Sequence, residues 1–208
     1  MVSAKTSEIS VLEVGFGNIP SLSRVLKQLG VSAKPINTAE AVLGSSHLIV
    51  PGVGSFKTAI SNLNSLGLVE PLKKRCLDLS RPTLGICLGA QILFEEGAEG
   101  GKTNGVGVFK GSVERLKPRL TAFKSHTGWD TIKILQNVLG MPIGSSIDVY
   151  FNHDYIFPSN QNNIAAIATH GEEFPVIVKQ QLTYAVQFHP EKSQVAGLNL
   201  LRAFLQED

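Results

Sequence analysis

The sequence predicts an α/β fold built on an open, mostly parallel sheet flanked by helices, with additional antiparallel strands in the second half. In the first half, short apolar segments alternate with segments of helical period, which is typical of parallel sheets covered on both faces. Three of the apolar segments end in a turn containing or flanked by glycines, as expected where strand ends meet at one edge of a sheet. In the second half, short apolar segments bounded by turn residues indicate antiparallel strands.

The predicted elements of the first half alternate in kind along the chain. In order they are a strand at residues 9–14, a helix at 21–29, an extended segment at 31–35, a helix at 39–43, a strand at 47–50, helices at 56–63 and 69–79, a strand at 83–86 and a helix at 90–96. The first helix is predicted because Leu22, Leu26 and Leu29 lie on one face at helical spacing, and Gly30 marks its end.

The predicted elements of the second half are shorter, and most are strands. They are strands at residues 105–109, 111–116, 149–157, 164–169, 176–179 and 183–188, followed by a helix at 194–205. No repeat, low-complexity tract or linker interrupts them, so we expect residues 1–208 to form a single domain.

The composition indicates a globular protein and argues against several functions. The 208 residues are 43% hydrophobic and 17% charged with a formal net charge of +2, which fits neither a disordered protein nor a nucleic-acid-binding one. Residues 1–10 lack the apolar core of a signal peptide, and no apolar run is long enough to span a membrane. Two cysteines supply no disulfide framework, which favours a reducing, cytoplasmic location.

Cys87 is the candidate nucleophile. It lies between Gly85 and Gly89, after an apolar strand and before a helical segment, which is the spacing of a nucleophile elbow. The glycines permit a strained turn and keep side chains away from the nucleophile. Cys76 has no such setting and is interpreted as a small buried hydrophobe, the more common role of an isolated cysteine.

His189 and Glu191 are the candidate base and its orienting carboxylate. In extended backbone, residues two apart point to the same side, so Glu191 can hold the imidazole of His189. A histidine held in this way takes the proton of a thiol and produces the thiolate that attacks a carbonyl. A histidine before proline is often only a strand end, but together with Cys87 it predicts a Cys-His-Glu hydrolase or transferase.

The loop Pro51-Gly52-Val53-Gly54 is a candidate oxyanion hole. Thiolate attack on a carbonyl creates an oxyanion, which backbone N–H groups stabilise. The glycines allow the main chain at Gly52 and Val53 to approach a substrate, and the N–H of Leu88 is the expected second donor. An ordinary Gly/Pro turn is the alternative interpretation of this loop taken alone.

The sequence predicts neither a cofactor nor a metal. The loop at residues 51–54 lacks the Lys-Ser/Thr ending of a P-loop, and Gly15-Phe16-Gly17 lacks the third glycine of a dinucleotide fingerprint. The histidines are scattered along the sequence, with no pair at i and i+4 and no Cys-x-x-Cys beside them. They are His47, His126, His153, His170 and His189.

With these motifs the chain resembles the class I (triad) glutamine amidotransferases, and among them the glutaminase subunits of imidazole glycerol phosphate synthases. The run Gly-Ile-Cys-Leu-Gly-x-Gln around Cys87 and the run His189-Pro190-Glu191 are similar to motifs of the whole class. The narrower resemblance rests on segments that follow in family order along nearly the whole chain. They are Gly15-Phe16-Gly17-Asn18, the run Ile-Val-Pro-Gly-Val-Gly-Ser-Phe at 49–56, Gly105-Val106-Gly107, His126-x-Gly128-Trp129, Tyr150-Phe151-x-His153-x-Tyr155 and Gly171-x-x-Phe174.

The resemblance implies a flavodoxin-like fold, no cofactor, and a glutaminase that forms a heterodimer with a (β/α)8-barrel cyclase subunit of histidine biosynthesis and passes ammonia to it. It maps the triad onto Cys87, His189 and Glu191. It maps glutamine binding onto Gly52, Gly54, Gln91 and Glu99, together with the main chain of Asp154 and Tyr155. According to the resemblance, three residues face the barrel subunit: Asn18, Trp129 and Lys192.

The chain departs from the family pattern in segments near the expected partner face and glutamine pocket. It has Ser125-His126-Thr127-Gly128-Trp129-Asp130 where the family has Pro-His-Met-Gly-Trp-Asn, and Phe151-Asn152-His153-Asp154-Tyr155 where the family has Phe-Val-His-Ser-Tyr. These departures leave open a paralogous glutaminase that serves a related barrel synthase in surface-sugar amidination. A stand-alone cysteine hydrolase and a non-catalytic binding module are further alternatives, and the intact triad argues against the module.

Overall fold

The structure, a computed structural model, describes residues 8–117 and 125–207. Most of the segment at residues 1–10, for which no signal peptide was predicted, lies outside the described residues. The helices are α1 (Ile19–Gln28), α2 (Ala39–Gly44), α3 (Phe56–Ser65), α4 (Val69–Cys76), α5 (Leu88–Gln91) and α6 (Gln194–Phe204), with a 3₁₀ turn at Pro190–Lys192. The strands are β1 (Glu8–Leu12), β2 (Ser32–Ile36), β3 (Leu48–Val50), β4 (Thr83–Ile86), β5 (Phe94–Gly97), β6 (Thr103–Asn104), β7 (Phe109–Arg115), β8 (His126–Ile134), β9 (Ser146–His153), β10 (Tyr155–Ile156), β11 (Ile164–Thr169), β12 (Glu173–Gln180) and β13 (Thr183–Val186).

A nine-stranded sheet forms the centre of the described residues, in the order β2-β1-β3-β4-β13-β12-β11-β8-β9. The strands from β2 to β13 in this order pair in parallel. The strands from β12 to β9 extend the sheet with antiparallel pairs. A four-stranded sheet of order β10-β7-β5-β6 lies beside it. The predicted α/β class, the parallel sheet and the antiparallel strands of the second half are confirmed.

Apolar side chains on both faces of the large sheet pack against helices. On one face, Ile9 and Val11 of β1 belong to a buried cluster with Leu22 of α1. Leu12 of β1 belongs to a second buried cluster with Leu63 of α3. Because successive strand residues point to opposite faces, a short apolar strand can contribute to both clusters.

The structure corrects the prediction for the segment after Cys87. The helix predicted at residues 90–96 is wrong, because α5 ends at Gln91 and residues 94–97 form β5. Phe94 pairs with Phe109 of β7, and its ring stacks on that of Phe157 with centroids 4.9 Å apart. A short apolar run does not distinguish a buried strand from a helix by its period, and here packing against β7 selects the strand.

Three segments of the second half also differ from the prediction. Residues 105–108 form a loop instead of a strand, and a Cβ at Gly105 would lie only 2.1 Å from the carbonyl oxygen of Phe94. The strand predicted at 149–157 divides at Asp154 into β9 and β10, which belong to different sheets. Strand β8 was not predicted, because the alternation of its first residues is obscured by Gly128 and by buried His126.

The carboxyl ends of the parallel strands bring the predicted loops together. The loops at residues 15–18 and 51–54 follow β1 and β3, Cys87 follows β4, and His189 lies shortly after β13. The first two loops are in contact, since a Cβ at Gly17 would lie 3.1 Å from the ring of Pro51. The expectation that these segments share one edge of the sheet is therefore confirmed. Among the described helices, none is long and apolar enough to cross a membrane.

Candidate active site

Cys87 occupies a strained turn between β4 and α5. Its φ of 52° and ψ of −115° lie in a region that residues with a side chain rarely adopt. Such a conformation costs about 1–3 kcal/mol and persists only where the surroundings enforce it. Here the N–H of Cys87 donates to the carbonyl of Val186 at 2.8 Å, and its own carbonyl accepts from Gln91 N–H at 2.9 Å. The turn is thus fixed from both the sheet and the helix.

The positions on either side of Cys87 require glycine, because neighbouring backbone lies too close to leave room for a Cβ. A Cβ at Gly89 would lie 1.9 Å from the carbonyl oxygen of Val50, and one at Gly85 would lie 2.7 Å from the Cα of Ala90. A Cβ at Gly52 would lie 2.2 Å from the amide nitrogen of Gly89. The loop at residues 51–54 therefore rests directly on the elbow, as the oxyanion-hole hypothesis requires.

His189 and Glu191 form a buried pair beside Cys87. The Nδ1 atom of His189 lies 2.8 Å from Oε1 of Glu191, and their side chains are only 2% and 6% exposed. The backbone fixes the histidine as well, because its N–H donates to the carbonyl of Tyr150 at 2.9 Å and its carbonyl accepts from the hydroxyl of Ser193 at 2.7 Å. With Nδ1 held by the carboxylate, Nε2 is the atom left to exchange a proton.

The surroundings favour the protonated form of His189. Burial alone would lower its pKa, but the hydrogen bonds and charges of Cys87 and Glu191 outweigh burial and raise the pKa from 6.5 to about 9. At neutral pH the imidazole therefore carries a proton that it can give to a leaving group. This is the state expected of a histidine paired with a cysteine thiolate.

A cavity of about 280 Å³, here called the Cys87 pocket, opens beside the nucleophile. It brings together most of the residues that the resemblance assigns to glutamine binding. Its lining comprises Val53, Gly54, Cys87, Leu88, Gln91, Glu99, Asn152, His153, Asp154, Tyr155 and His189. Gly52 does not line the cavity and lies behind it, against the elbow.

Two of these residues are held by hydrogen bonds to the frame of the pocket. Buried Gln91 donates from Nε2 to the carbonyl of Tyr155 at 2.9 Å. Glu99 accepts the backbone N–H of Phe56 at 2.7 Å, which ties it to the beginning of α3. Their polar ends are thus pre-positioned around the cavity and do not depend on a substrate for their conformation.

Two further residues beside the nucleophile were missed by the sequence reasoning. Gln187 Nε2 lies 3.8 Å from Cys87 Sγ, and the thiol lies 3.9 Å from the carbonyl oxygen of Asn152. Gln187 directly follows β13 and precedes His189 by two residues, so strand alternation was the available signal. The same alternation does not explain Glu191, because Pro190–Lys192 form a 3₁₀ turn instead of the extended backbone that was predicted. Asn152 carried no such signal, because its contribution is a backbone atom.

The residues expected to face a partner lie in two places. Trp129 is 50% exposed, its ring lies 6.1 Å from that of Tyr150, and Lys192 Nζ lies 5.4 Å from the same tyrosine ring. Asn18 caps α1 by accepting the N–H of Ser21 at 3.3 Å. Helix α1 contacts the 3₁₀ turn that carries Lys192, so the two places lie on neighbouring elements.

Three of the histidines that are scattered along the sequence lie close together in the fold. His126 Nδ1 lies 3.1 Å from His153 Nε2, and the rings of His126 and His170 stack with centroids 4.4 Å apart and planes 21° from parallel. Among the described residues, His126, Asp130 and His170 place potential ligand atoms within 4.8 Å of one another. Nearly parallel stacked rings do not direct two in-plane lone pairs to one ion, and both nitrogens of His126 already have partners.

Comparison with known proteins agrees with this geometry. The family model described as "Glutamine amidotransferase class-I" matches residues 10–207. Among curated relatives, the imidazole glycerol phosphate synthase subunit HisH 1 of Campylobacter jejuni is 35% identical over 95% of this chain and 99% of its own length. The hisH subunit of Cyanophora paradoxa is 37% identical over 100% of this chain and 99% of its own length. The chloroplastic hisHF protein of Arabidopsis thaliana is 37% identical, and this chain spans only 35% of its length.

Solved structures give the same result for the fold. A crystal structure of a glutamine amidotransferase superposes with a TM-score of 0.73 at 26% identity, covering 95% of this chain and 97% of the other. The structure of PurLQS from Thermotoga maritima superposes with a TM-score of 0.77 at 15% identity, covering 97% and 98%, and supports the fold alone. The family predicted from the motifs is confirmed: this protein belongs to the class I glutamine amidotransferases.

Proposed function

We propose that this protein is the glutaminase subunit of an imidazole glycerol phosphate synthase, which hydrolyses L-glutamine and supplies ammonia to a (β/α)8-barrel cyclase subunit in histidine biosynthesis. The observation that carries the proposal is the Cys87, His189 and Glu191 constellation at the Cys87 pocket. Curated relatives that match nearly the whole chain and bear the synthase-subunit name support it.

The proposed reaction begins at Cys87. Its thiolate attacks the γ-carboxamide carbon of glutamine, and the resulting oxyanion is stabilised by the N–H of Leu88 and by the main chain at Gly52 and Val53. The imidazolium of His189 gives its proton to the departing nitrogen, so the C–N bond breaks, ammonia leaves and a γ-glutamyl thioester remains. His189 then takes a proton from water, the hydroxide attacks the thioester, and glutamate is released with the thiolate restored.

The remaining pocket residues are proposed to hold the amino-acid end of glutamine. The polar groups available are the Gln91 amide, the Glu99 carboxylate, the backbone at Gly54, and the main chain of Asp154 and Tyr155. The side chain of Asp154 is directed into an ion pair with Arg115 at 3.7 Å, which agrees with a role for its backbone in binding. Gly52 does not line the cavity, so it is proposed to serve the oxyanion hole and not to hold the amino-acid end of glutamine.

Gly52→Ala tests the contact between the loop and the elbow. The new Cβ would overlap the backbone of Gly89 and Leu88, at 2.2 and 2.8 Å, so the loop must move away from the nucleophile. Loss of one aligned oxyanion donor lowers turnover roughly a hundredfold or more. The measurement is steady-state glutamine hydrolysis by the reconstituted complex, with Gly44→Ala as matched control because a Cβ there meets nothing within 4 Å. Wild-type turnover in Gly52→Ala would contradict the role of the loop.

The partner surface is proposed to include Asn18, Trp129 and Lys192. The exposed indole of Trp129 and the ammonium of Lys192 flank the ring of Tyr150, and aromatic side chains of this kind are enriched in interfaces. In the Arabidopsis relative named hisHF, most of the length lies outside the match, which leaves room for a further domain on the same chain. The proposed partner for this protein is a separate barrel cyclase.

Partner-dependent activity is the experiment that tests the function. A glutaminase that feeds a synthase wastes glutamine when free, so the isolated protein is expected to hydrolyse glutamine at least a hundredfold more slowly than its complex with the barrel cyclase and the cyclase ligand. The glycines on both sides of Val53 allow that peptide to change orientation when the partner binds. A related barrel synthase of surface-sugar amidination serves as the control partner. Full activity of the isolated protein would favour a stand-alone hydrolase instead.

A further inference from the structure

A continuous set of polar contacts leads from the carboxylate of Asp130, 31% exposed, to the wall of the Cys87 pocket. Asp130 Oδ2 lies 3.1 Å from His126 Nε2, His126 Nδ1 lies 3.1 Å from His153 Nε2, and His153 Nδ1 lies 2.9 Å from the carbonyl oxygen of Tyr155. These four groups are called the Asp130 network. The same carbonyl accepts the Gln91 amide at 2.9 Å, so the network ends on two groups proposed to bind glutamine.

The contacts continue from Gln91 to the nucleophile. Gln91 Nε2 also donates to Oε1 of Gln187 at 3.1 Å, and Gln187 Nε2 lies 3.8 Å from Cys87 Sγ. A displacement of the Tyr155 carbonyl therefore affects both the pocket wall and the surroundings of the thiol. The hydrogen-bond partners of Sγ are Gln187 and the carbonyl of Asn152, which lie outside the Asp130 network, so the network acts by position.

The Asp130 network has one N–H hydrogen fewer than it has hydrogen-bonding contacts. Its two ends, the ionised carboxylate of Asp130 and the carbonyl of Tyr155, only accept hydrogen bonds. The three contacts between these ends need three hydrogens, whereas two neutral imidazoles supply one N–H each. Either one of the two imidazoles is protonated and supplies a third hydrogen, or one of the three contacts lacks its hydrogen.

The groups around the two rings oppose a third proton. Burial lowers the pKa of His126 to about 4, assisted by the stacked His170 and opposed by Asp130. Burial likewise lowers the pKa of His153 to about 3, assisted by His126, His189 and His170 and opposed by the Tyr155 carbonyl. Both rings are therefore neutral at neutral pH, and one contact of the Asp130 network has no hydrogen.

We propose that Asp130 is a positioning residue of the glutamine site. Its carboxylate keeps its own hydrogen bond with His126, so the contact that lacks a hydrogen is one nearer to the Tyr155 carbonyl. The inference rests on the proposed function, because it concerns glutamine. A hydrogen bond to a carboxylate is stronger than one between neutral groups, so Asp130 retains the Nε2–H of His126. The missing hydrogen then falls at the His126–His153 contact or at the His153–Tyr155 contact, and the pocket wall is held less firmly.

An asparagine at position 130 would complete the network. Oδ1 of Asp130 already accepts the backbone N–H of Thr131 at 2.7 Å, so in Asp130→Asn the amide oxygen takes this place and the NH₂ group faces His126 Nε2. The amide donates to Nε2, His126 donates from Nδ1 to His153, and His153 donates from Nδ1 to Tyr155. All three contacts are then satisfied by neutral groups.

The test measures glutamine binding without turnover. In the Cys87→Ala background, the dissociation constant for L-glutamine is determined by calorimetry at pH 7.5 with and without Asp130→Asn. Restoring one hydrogen bond is expected to tighten binding about three- to tenfold. Asp148→Asn is the matched control, because it removes a carboxylate from the neighbouring strand that is bonded to the Thr131 hydroxyl, and it is expected to leave the constant unchanged.

A spectroscopic readout separates positioning from a general structural effect. The ¹⁵N chemical shifts of the imidazole nitrogens are expected to show His126 protonated at Nε2 in the parent protein and at Nδ1 in the Asp130→Asn variant. A tautomer of His126 that is the same in both proteins, or glutamine affinity that is equal in both, overturns the inference and leaves the proposed function standing. Absence of glutamine binding in the parent Cys87→Ala protein overturns the proposed function as well.

Discussion

Cys87→Ala is expected to abolish glutamine hydrolysis while the reconstituted synthase keeps its activity with free ammonia. Only the thiolate of Cys87 can form the γ-glutamyl thioester, whereas a partner subunit that receives ammonia has no contact with this residue in the proposed reaction. The measurement is synthase turnover of the complex with glutamine and, separately, with ammonium salt as nitrogen source. The alanine removes one sulfur atom from a pocket wall, so binding to the partner is expected to persist.

Cys76→Ala is the matched control for this experiment. Cys76 is also buried, but burial raises the pKa of its thiol to about 12 despite the nearby Arg75, so it carries no thiolate at neutral pH. This variant is expected to retain glutamine-dependent activity. Glutamine hydrolysis that survives in Cys87→Ala would remove Cys87 from the mechanism, and parallel loss of ammonia-dependent activity would show that the partner subunit had been disturbed instead.

The sequence was informative where local geometry alone constrains the residues. Gly85 and Gly89 predicted the elbow, and the structure gives the reason, since a Cβ at either position would overlap neighbouring backbone. The spacing of His189 and Glu191 predicted a pair, and their atoms lie 2.8 Å apart, although a 3₁₀ turn and not extended backbone brings them together. The order of strands and helices from β1 to α5 likewise follows from local period and turn residues.

The sequence was less informative where contacts distant along the chain decide the outcome. Residues 94–97 form a strand because Phe94 meets Phe109 and Phe157, which lie 15 and 63 positions further along the sequence. The Asp130 network depends on the register between β8 and β9, in which His126 is opposite His153. Neither register nor packing between such segments is encoded in the spacing of residues within one segment.

Glu191→Gln is expected to preserve the fold and lower glutamine turnover roughly a thousandfold or more, as for orienting carboxylates of other triads. The amide keeps the size of the side chain but removes the charge that stabilises the imidazolium of His189, and its NH₂ group cannot accept the Nδ1 hydrogen. The measurement is steady-state glutamine hydrolysis by the complex. Glu70→Gln, an exposed glutamate of α4, is the matched control and is expected to behave like the wild type.

The pH dependence of the same variant distinguishes loss of the charge from a displaced side chain. In the proposed reaction the imidazolium of His189 gives its proton to the departing nitrogen, so wild-type turnover is expected to fall as pH rises through about 9 and this proton is lost. Contacts with Glu191 help to raise this pKa above 6.5 against the opposing effect of burial. In Glu191→Gln the alkaline decline is therefore expected to begin at lower pH, whereas a displaced pocket would lower the rate equally at every pH. Turnover near the wild-type level with an unshifted decline would show that another residue orients His189.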